Sequence, residues 1–436
     1  MSSPVNNTAA AADLESLVVR KLLWRLLPFL FLLYIVNYLD RINVGFAALQ
    51  MRSQLGFSDD VFGTGFGIFF VGYFFLQVPS NLGLAKVGAR RWMAAIMVVW
   101  GIVSCCMIFV RTPHSFYAMR FVLGAAEAGF FPGIILYLKN WFPATARGRA
   151  VAIFMTANPL AGVVGGPISG ALLNLHHFGL AGWQWMFILE GFPAVLLAAT
   201  VLFTLNDRPS DATWLHEHEQ LWLTAVLENE HRETVKISRS DFWGAVLNWR
   251  IWLLMIVYFG LTASAYGLIL WLPSYIKSLS HLGNFGIGIV SVIPYVVTAL
   301  AMVVIGARSD KSGKHRMYLA GSAFSAAVFL FIAAQTGSIV SGLAFVTLAL
   351  AATFCMQGPF WATATSLMSG TAAAVAIALI NSFGNLGGYF GPKVVGWLST
   401  TYGSYVPGMW FLVVCILLAG LLALGLKAAP KKAAAG

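Results

Sequence analysis

The chain has 436 residues, 59% of them hydrophobic and only 10% charged, against about 25% charged in an ordinary soluble domain. That balance excludes a water-soluble globular fold and leaves a membrane protein. The formal net charge of +11 does not mark a nucleic-acid binder, because the basic residues follow membrane topology rather than clustering as a patch.

In chain order, the first nineteen residues are polar and alanine-rich, with neither a basic head nor a short apolar core. No cleaved signal peptide is expected, and the first span acts as its own insertion signal. Stretches long enough to cross a bilayer, about 20 residues each, centre near Leu33, Phe70, Val99, Gly124, Pro159 and Leu197. A second set centres near Phe259, Val297, Phe329, Leu350, Gly384 and Leu417. The expected fold is therefore an all-α membrane protein of twelve transmembrane helices in two six-helix halves. The first half covers residues 1–205, a polar cytoplasmic linker 206–249, and the second half 250–436. With the N-terminus inside, 21 of the 27 lysines and arginines fall in cytoplasmic segments. Arg52, Arg111 and Lys277 fall outside, and Arg41, Arg120 and Lys393 lie within spans. This positive-inside bias predicts a multi-pass protein of the inner (cytoplasmic) membrane with both termini in the cytoplasm.

Four of the intramembrane charges stand out. Asp40 and Arg41 sit in LLPFLFLLYIVNYLDRINVGFAAL, Arg120 and Glu127 in SFYAMRFVLGAAEAGFFPGIILYL. Each costs about 2.5–3.5 kcal/mol at the centre of a membrane helix, which points to a polar cavity with a use. Arg120 and Glu127 are seven residues apart and share a helix face, so a self-neutralising pair is one reading. Gly124, Ala125, Ala126, Ala128 and Gly129 around Glu127 would instead let a cavity or a neighbouring helix approach. Asp40 and Arg41 are adjacent, about 100° apart around the helix, and must face different partners; a buried structural network is the alternative for Asp40. Tyr34, Tyr38 and Arg41 line one face of the first span, Tyr73 and Gln77 one face of the second, and Asn381 and Asn385 one face of the eleventh. A single such group is more often an interhelical hydrogen bond than a ligand contact.

The chain repeats itself. Trp24-Arg25 recurs as Trp249-Arg250, the Lys86-x-Gly88 turn as Lys311-x-Gly313, and Gly166-Pro167 as Gly391-Pro392, each at an offset of 225. Six spans per repeat is an even number, so the copies run parallel through the membrane, as in carriers that place their site between halves near the midplane.

Several features are less informative than they look. His216-Glu217-His218-Glu219 does not put alternate residues on one helix face, and among Trp214, Leu215, Leu221, Trp222 and Leu223 it reads as an interfacial amphipathic helix rather than a metal site. Gly162, Gly166 and Gly170 have small-xxx-small spacing for close helix packing. Glu190, beside Trp183 and Trp185, reads as a packing or loop anchor, and Lys393 as a residue that snorkels to the interface. Cys105, Cys106, Cys355 and Cys415 lie in apolar spans, which suits packing. GxxxxGK[ST], HExxH and GxSxG do not occur, so ATP coupling and hydrolysis lack support.

The loop Gly306-Ala-Arg-Ser-Asp310-Lys311-Ser-Gly313-Lys314 resembles the signature between spans of the major facilitator superfamily. Its first-half copy is degenerate, with Asn81 in place of the first Gly and Ala85 in place of the Asp, which weakens any charge lock there. NYLDRINVGFA (37–47), RFVLGAAEAGFFPGI (120–134), WFPATARGRA (141–150), GWQWMFILEG (182–191) and NSFGNLGGYFGP (381–392) look like the anion:cation symporter family, closest to bacterial tartrate-type carriers. That resemblance implies proton carriage by Asp40 and Glu127, and substrate binding by Arg41 and Arg120, where a guanidinium fork suits a carboxylate. It further implies Tyr73 and Asn385 as substrate contacts, with Tyr38, Gln77 and Asn158 behind them.

The expected function is thus proton-coupled import of a small organic carboxylate, tartrate or a similar hydroxylated acid first, then sugar acids, then aromatic acids such as hydroxyphenylacetate. A facilitator of neutral solutes would not need Arg41 and Arg120, and an embedded receptor or enzyme would need a constellation that the sequence lacks. The protein is expected to be no enzyme, to use the proton gradient rather than a cofactor or metal, and to work as a monomer in the bilayer without nucleic acid.

Overall fold

The computed structural model describes residues 4–232, 246–367 and 372–426. Part of the linker, with Lys236 and Arg239, and the basic tail with Lys427, Lys431 and Lys432 lie outside the described residues. Among the described residues all regular structure is helical. The first set comprises α1 (Pro4–Leu55), α2 (Asp59–Val87), α3 (Ala89–Cys106), α4 (Pro113–Glu127), α5 (Phe130–Trp141), α6 (Ala144–Met155), α7 (Ala157–Leu172) and α8 (Gly182–Thr204). After the linker helix α9 (Glu217–Arg232) come α10 (Trp249–Leu279), α11 (Asn284–Val290), α12 (Val292–Ser312), α13 (His315–Ala334), α14 (Ile339–Cys355), α15 (Gln357–Ser366), α16 (Ala372–Asn385), α17 (Gly387–Tyr402) and α18 (Val406–Gly425). Among the described residues, eleven helical runs are long and apolar enough to cross a membrane. The twelfth expected span, centred near Gly384, is the α16–α17 pair, which begins beside the undescribed residues 368–371.

Several spans are broken once in mid-course, and the sequence says why. Pro132, Pro159, Pro294 and Pro359 are each the third residue of the second segment of a broken span. A proline ring clashes with the carbonyl four residues back and removes a hydrogen bond, which here means Ala128, Met155, Val290 and Cys355. The breaks fall within one residue of those positions, at Ala128-Gly129, Thr156, Ser291 and Met356. The α16–α17 break at Leu386 precedes Gly387-Gly388 instead. Glu127 and Asn385 are the last residues before their breaks, and Asn158 lies just after one.

The repeat is structural. Gly88 and Gly313 both end a helix with positive φ, 93° and 65°, a conformation that glycine adopts without steric cost. Trp24 and Trp249 both face outward. Gly166 and Gly391 are both close-approach positions: an added Cβ would lie 2.7 Å from the Gly288 carbonyl oxygen in one case and at 2.0 Å from the Ala263 oxygen in the other.

The two sets of helices meet along α2 with α17, α7 with α11 and α12, and α1 with α10. At the end that carries Arg52, the seam is polar. Lys393 Nζ donates to Asp60 Oδ1 and Thr64 Oγ1, both at 2.7 Å, Ser399 Oγ donates to Asp59 Oδ2 at 2.6 Å, and Arg52, itself paired with Asp59, donates to Tyr405 at 3.0 Å. Lys393 thus reaches toward the end of its span, where the first-turn acid of the facing helix holds its partly exposed ammonium. Apolar packing follows the same division. One buried core joins the second set to the Arg52 end of the first, and a separate core occupies only the opposite end of the first set. Among the described residues, hydrogen bonds between the sets run from the Arg52 end no further than Ser382 to Gln77, at 3.4 Å. At the opposite end α9 packs on the first set, with Lys21 Nζ 2.7 Å from Glu219 Oε1 and the Ala144 amide donating to Glu230 at 2.8 Å.

Candidate functional site

The four intramembrane charges of the first set converge at the level of the helix breaks, and all are buried. Their pairing differs from the one that spacing suggests. Glu127 accepts from Arg41 Nη2 at 3.0 Å and from Asn37 Nδ2 at 2.9 Å, both on its Oε2, and not from Arg120 on its own face. The reason is geometric. Pro132 ends α4 next to Glu127, and α1 offers Asn37 and Arg41 one turn apart, so the carboxylate meets a two-pronged donor across the helix pair.

Arg120 instead donates Nε to the Gly65 carbonyl at 3.2 Å, while its Nη1 and Nη2 have no protein partner. Both guanidiniums lie over the same ring: the Phe69 centroid is 4.9 Å from Arg120 Cζ and 5.2 Å from Arg41 Cζ. Tyr73 covers Arg41 from the side at 5.3 Å. Cation–π contact stabilises a desolvated guanidinium without using its hydrogen-bond donors. The close approach of α2 and α4 makes this possible, since a Cβ on Gly124 would lie 1.9 Å from the Phe69 carbonyl oxygen. The small residues around Glu127 thus admit a neighbouring helix.

Asp40 faces another way, as adjacency on a helix requires. Its Oδ1 accepts from Ser104 Oγ and, at 3.2 Å, from Asn43 Nδ2, while Oδ2 has no protein partner. It forms no ion pair among the described residues. Across the seam Arg41 Nη1 lies 3.5 Å from the Tyr266 hydroxyl.

Of the sequence-derived residues, the structure brings together Arg41, Arg120, Glu127 and Tyr73, with Asp40 close by. Tyr38 is buried and packs by its ring on Tyr34, 6.2 Å between centroids. Gln77 is an inter-set hydrogen bond, and Asn158 and Asn385 are half-buried without a hydrogen bond to the cluster. Sequence reasoning missed Phe69, Asn37 and Tyr266. Phe69 is one of 33 phenylalanines and carries no signal of its own. Tyr266 was findable, because it lies 225 residues from Arg41, the repeat offset.

A sealed end, a seam along repeat-related helices and a buried charged cluster beside that seam define a membrane carrier. The model for the Major Facilitator Superfamily matches residues 30–392, and the chain belongs to that superfamily. It is 48% identical over 422 residues to a protein of Agrobacterium vitis named "Putative tartrate transporter", covering 96% of this chain and 97% of that one. A quinolone resistance transporter of Acinetobacter baumannii is 37% identical over 406 residues, 93% and 94% of the two chains. Among solved structures, the inward open conformation of the xylose transporter XylE from E. coli superposes with a TM-score of 0.74 at 16% identity, covering 94% of this chain and 98% of that one. That last likeness is one of fold.

Proposed function

We propose that the protein is a proton-coupled symporter of the anion:cation symporter type that imports a small organic carboxylate, tartrate or a similar hydroxylated acid first. The observation that carries this reading is the contrast between the two arginines on Phe69. Arg41 already holds a carboxylate, Glu127, whereas Arg120 presents two buried donors with none. A guanidinium stays charged in proteins, and a buried charge with unpaired donors is costly, so the site favours an arriving anion. The tartrate-transporter name of the 48% identical relative supports the same class.

The cycle follows from electrostatics, with α1–α8 and α10–α18 as the two rocking halves. An anion docking on Arg120 competes with Glu127 for Arg41. A carboxylate deprived of its arginine in a poorly solvated site favours its neutral form, so anion arrival drives proton uptake. The positive-inside bias places the Arg52 end outside, and the sealed seam at that end makes this the inward-facing state. Release of protons to a more alkaline interior restores the Arg41–Glu127 pair and expels the anion. A panel of organic acids offered to proteoliposomes, with internal pH recorded, tests the reading. Acidification that accompanies a hydroxylated dicarboxylate supports it, and transport of neutral solutes without acidification refutes it.

A further inference from the structure

At the end opposite Arg52, which the positive-inside bias places in the cytoplasm, the basic residues divide into two kinds. Lys21 and Arg147 are taken. Lys21 Nζ donates to both oxygens of Glu219, at 2.7 and 2.9 Å, and Arg147 Nη2 donates to Glu230 Oε2 at 2.5 Å and to the Phe142 carbonyl at 3.0 Å. Arg20 and Arg149, each within two residues of those, are exposed and have no hydrogen bond or ion pair among the described residues. Adjacent helical positions diverge by about 100°, so when Lys21 turns toward α9, Arg20 turns away from it. Arg20 and Arg149 line one open groove between α1 and α6, with a volume of about 510 Å³.

The wall that α1 gives this groove is graded along the helix axis. Asp13, Leu17, Arg20 and Trp24 all line it, and their spacing puts them on one helix face. Trp24 is 78% exposed and stands where the apolar run of the first span begins, the level at which an indole favours the boundary between headgroup and acyl chain. Arg20 lies one turn, about 6 Å, further out, where phosphates sit above that boundary. Asp13 is a further two turns, about 10 Å, toward the water. The lining therefore carries two guanidiniums and one distant carboxylate, a net charge of one positive unit, beside apolar surface from Leu17, Leu23 and Trp24. A guanidinium takes phosphate oxygens through its planar fork, and basic pockets between spans on the cytoplasmic side suit anionic headgroups. The basic tail, with three lysines and no acidic side chain over residues 427–436, is repelled by such a lining rather than drawn into it. The second half does not repeat the feature: at the offset of 225 its Trp249 is also exposed, but Arg20 and Arg149 fall on Ala245 and Ala374. We propose that this groove holds the headgroup of one anionic phospholipid of the cytoplasmic leaflet, its phosphate between Arg20 and Arg149 and its acyl chains running past Trp24. An amine-bearing headgroup fits less well, because its ammonium would sit beside two guanidiniums, with Asp13 two turns away. The proposal rests on the orientation used for the transport cycle and is independent of the substrate.

The test is native mass spectrometry of the full chain, released from detergent micelles that contain phosphatidylglycerol, phosphatidylethanolamine or phosphatidylcholine. Wild type, R20Q/R149Q and R91Q/R208Q are compared; Arg91 and Arg208 are exposed basic residues of the same end that lie outside the groove. Wild type should retain one phosphatidylglycerol per chain, about tenfold more than either zwitterionic lipid. R20Q/R149Q should lose that preference, and R91Q/R208Q should keep it. Melting temperature in detergent reads the same site independently: added phosphatidylglycerol should raise it in wild type and in R91Q/R208Q and leave R20Q/R149Q unmoved. R149Q alone, which should weaken the preference, serves if the double variant is not recovered folded. Equal retention of the three lipids by wild type overturns the proposal. So does a loss of preference in R91Q/R208Q as large as in R20Q/R149Q, which would leave only a general attraction of basic residues to an anionic surface.

Discussion

Arg41 and Tyr266, 225 residues apart, meet at 3.5 Å across the seam between the two sets of helices. The separation equals the repeat offset, so the first span touches its own counterpart at equivalent positions. Gly45 and Leu270 do the same four residues on, where an added Cβ would lie 2.6 Å from the Leu270 oxygen. The packing of Gly63 against the Pro392 region and of Gly288 against Gly166 forms a second related set, matching within a residue or so after the same shift. The seam thus follows a pseudo-two-fold, and Arg41, paired with Glu127, lies on it.

Arg120→Lys keeps the charge but loses the planar fork and the stacking on Phe69. Uptake is expected to fall at least tenfold, on the order of 1.4 kcal/mol, in protein that still inserts and stays monodisperse. Radiolabelled uptake with a matched folding assay checks this. Wild-type affinity in the lysine variant would remove Arg120 from the site.

Carboxylate docking on two arginines predicts discrimination against esters. Free hydroxylated acids should compete for uptake of the transported substrate, and their methyl esters should not. Equal competition by an ester would point to a site for neutral solutes.

The Lys393–Asp60 and Lys393–Thr64 contacts hold the Arg52 end shut. Lys393→Met with Asp60→Asn removes the bridge without leaving a lone charge. Spin labels at Ser53→Cys and Tyr402→Cys, both exposed positions flanking that seam, should then show a new population at longer distance. An unchanged distance distribution would mean that the Ser399–Asp59 and Arg52–Tyr405 bonds and apolar packing keep this end closed without Lys393.

Gly124→Val places atoms where the Phe69 backbone passes, and overpacking of this kind costs about 1–3 kcal/mol or more. Yield of folded protein should drop sharply, whereas Gly148→Ala, with nothing within 4 Å of the added carbon, should be tolerated. Thermal-stability measurements in detergent distinguish the two.

The sequence made the helices legible because lipid requires long apolar runs, and the repeat legible because it recurs in turns that need glycine. Gly88 and Gly313 could be matched from their spacing alone. The partner of Glu127 was not legible. Helical spacing favours Arg120, but side chains on neighbouring helices compete, and only the packing of α1 against the end of α4 selects Arg41 and Asn37. The partner of Lys393 was not legible for the same reason, since Asp60 lies 333 residues away.

The central claim is that Glu127 and Asp40 couple proton movement to anion transport, and a paired assay tests it most directly. Glu127→Gln and Asp40→Asn mimic the protonated acids while removing titration. Each variant is measured for counterflow with equal pH on both sides and for accumulation driven by a pH difference alone. Exchange needs no net proton movement and should persist, whereas accumulation should be lost, most completely in Glu127→Gln. If both variants accumulate substrate as the wild type does, the acids are structural and the coupling account is wrong.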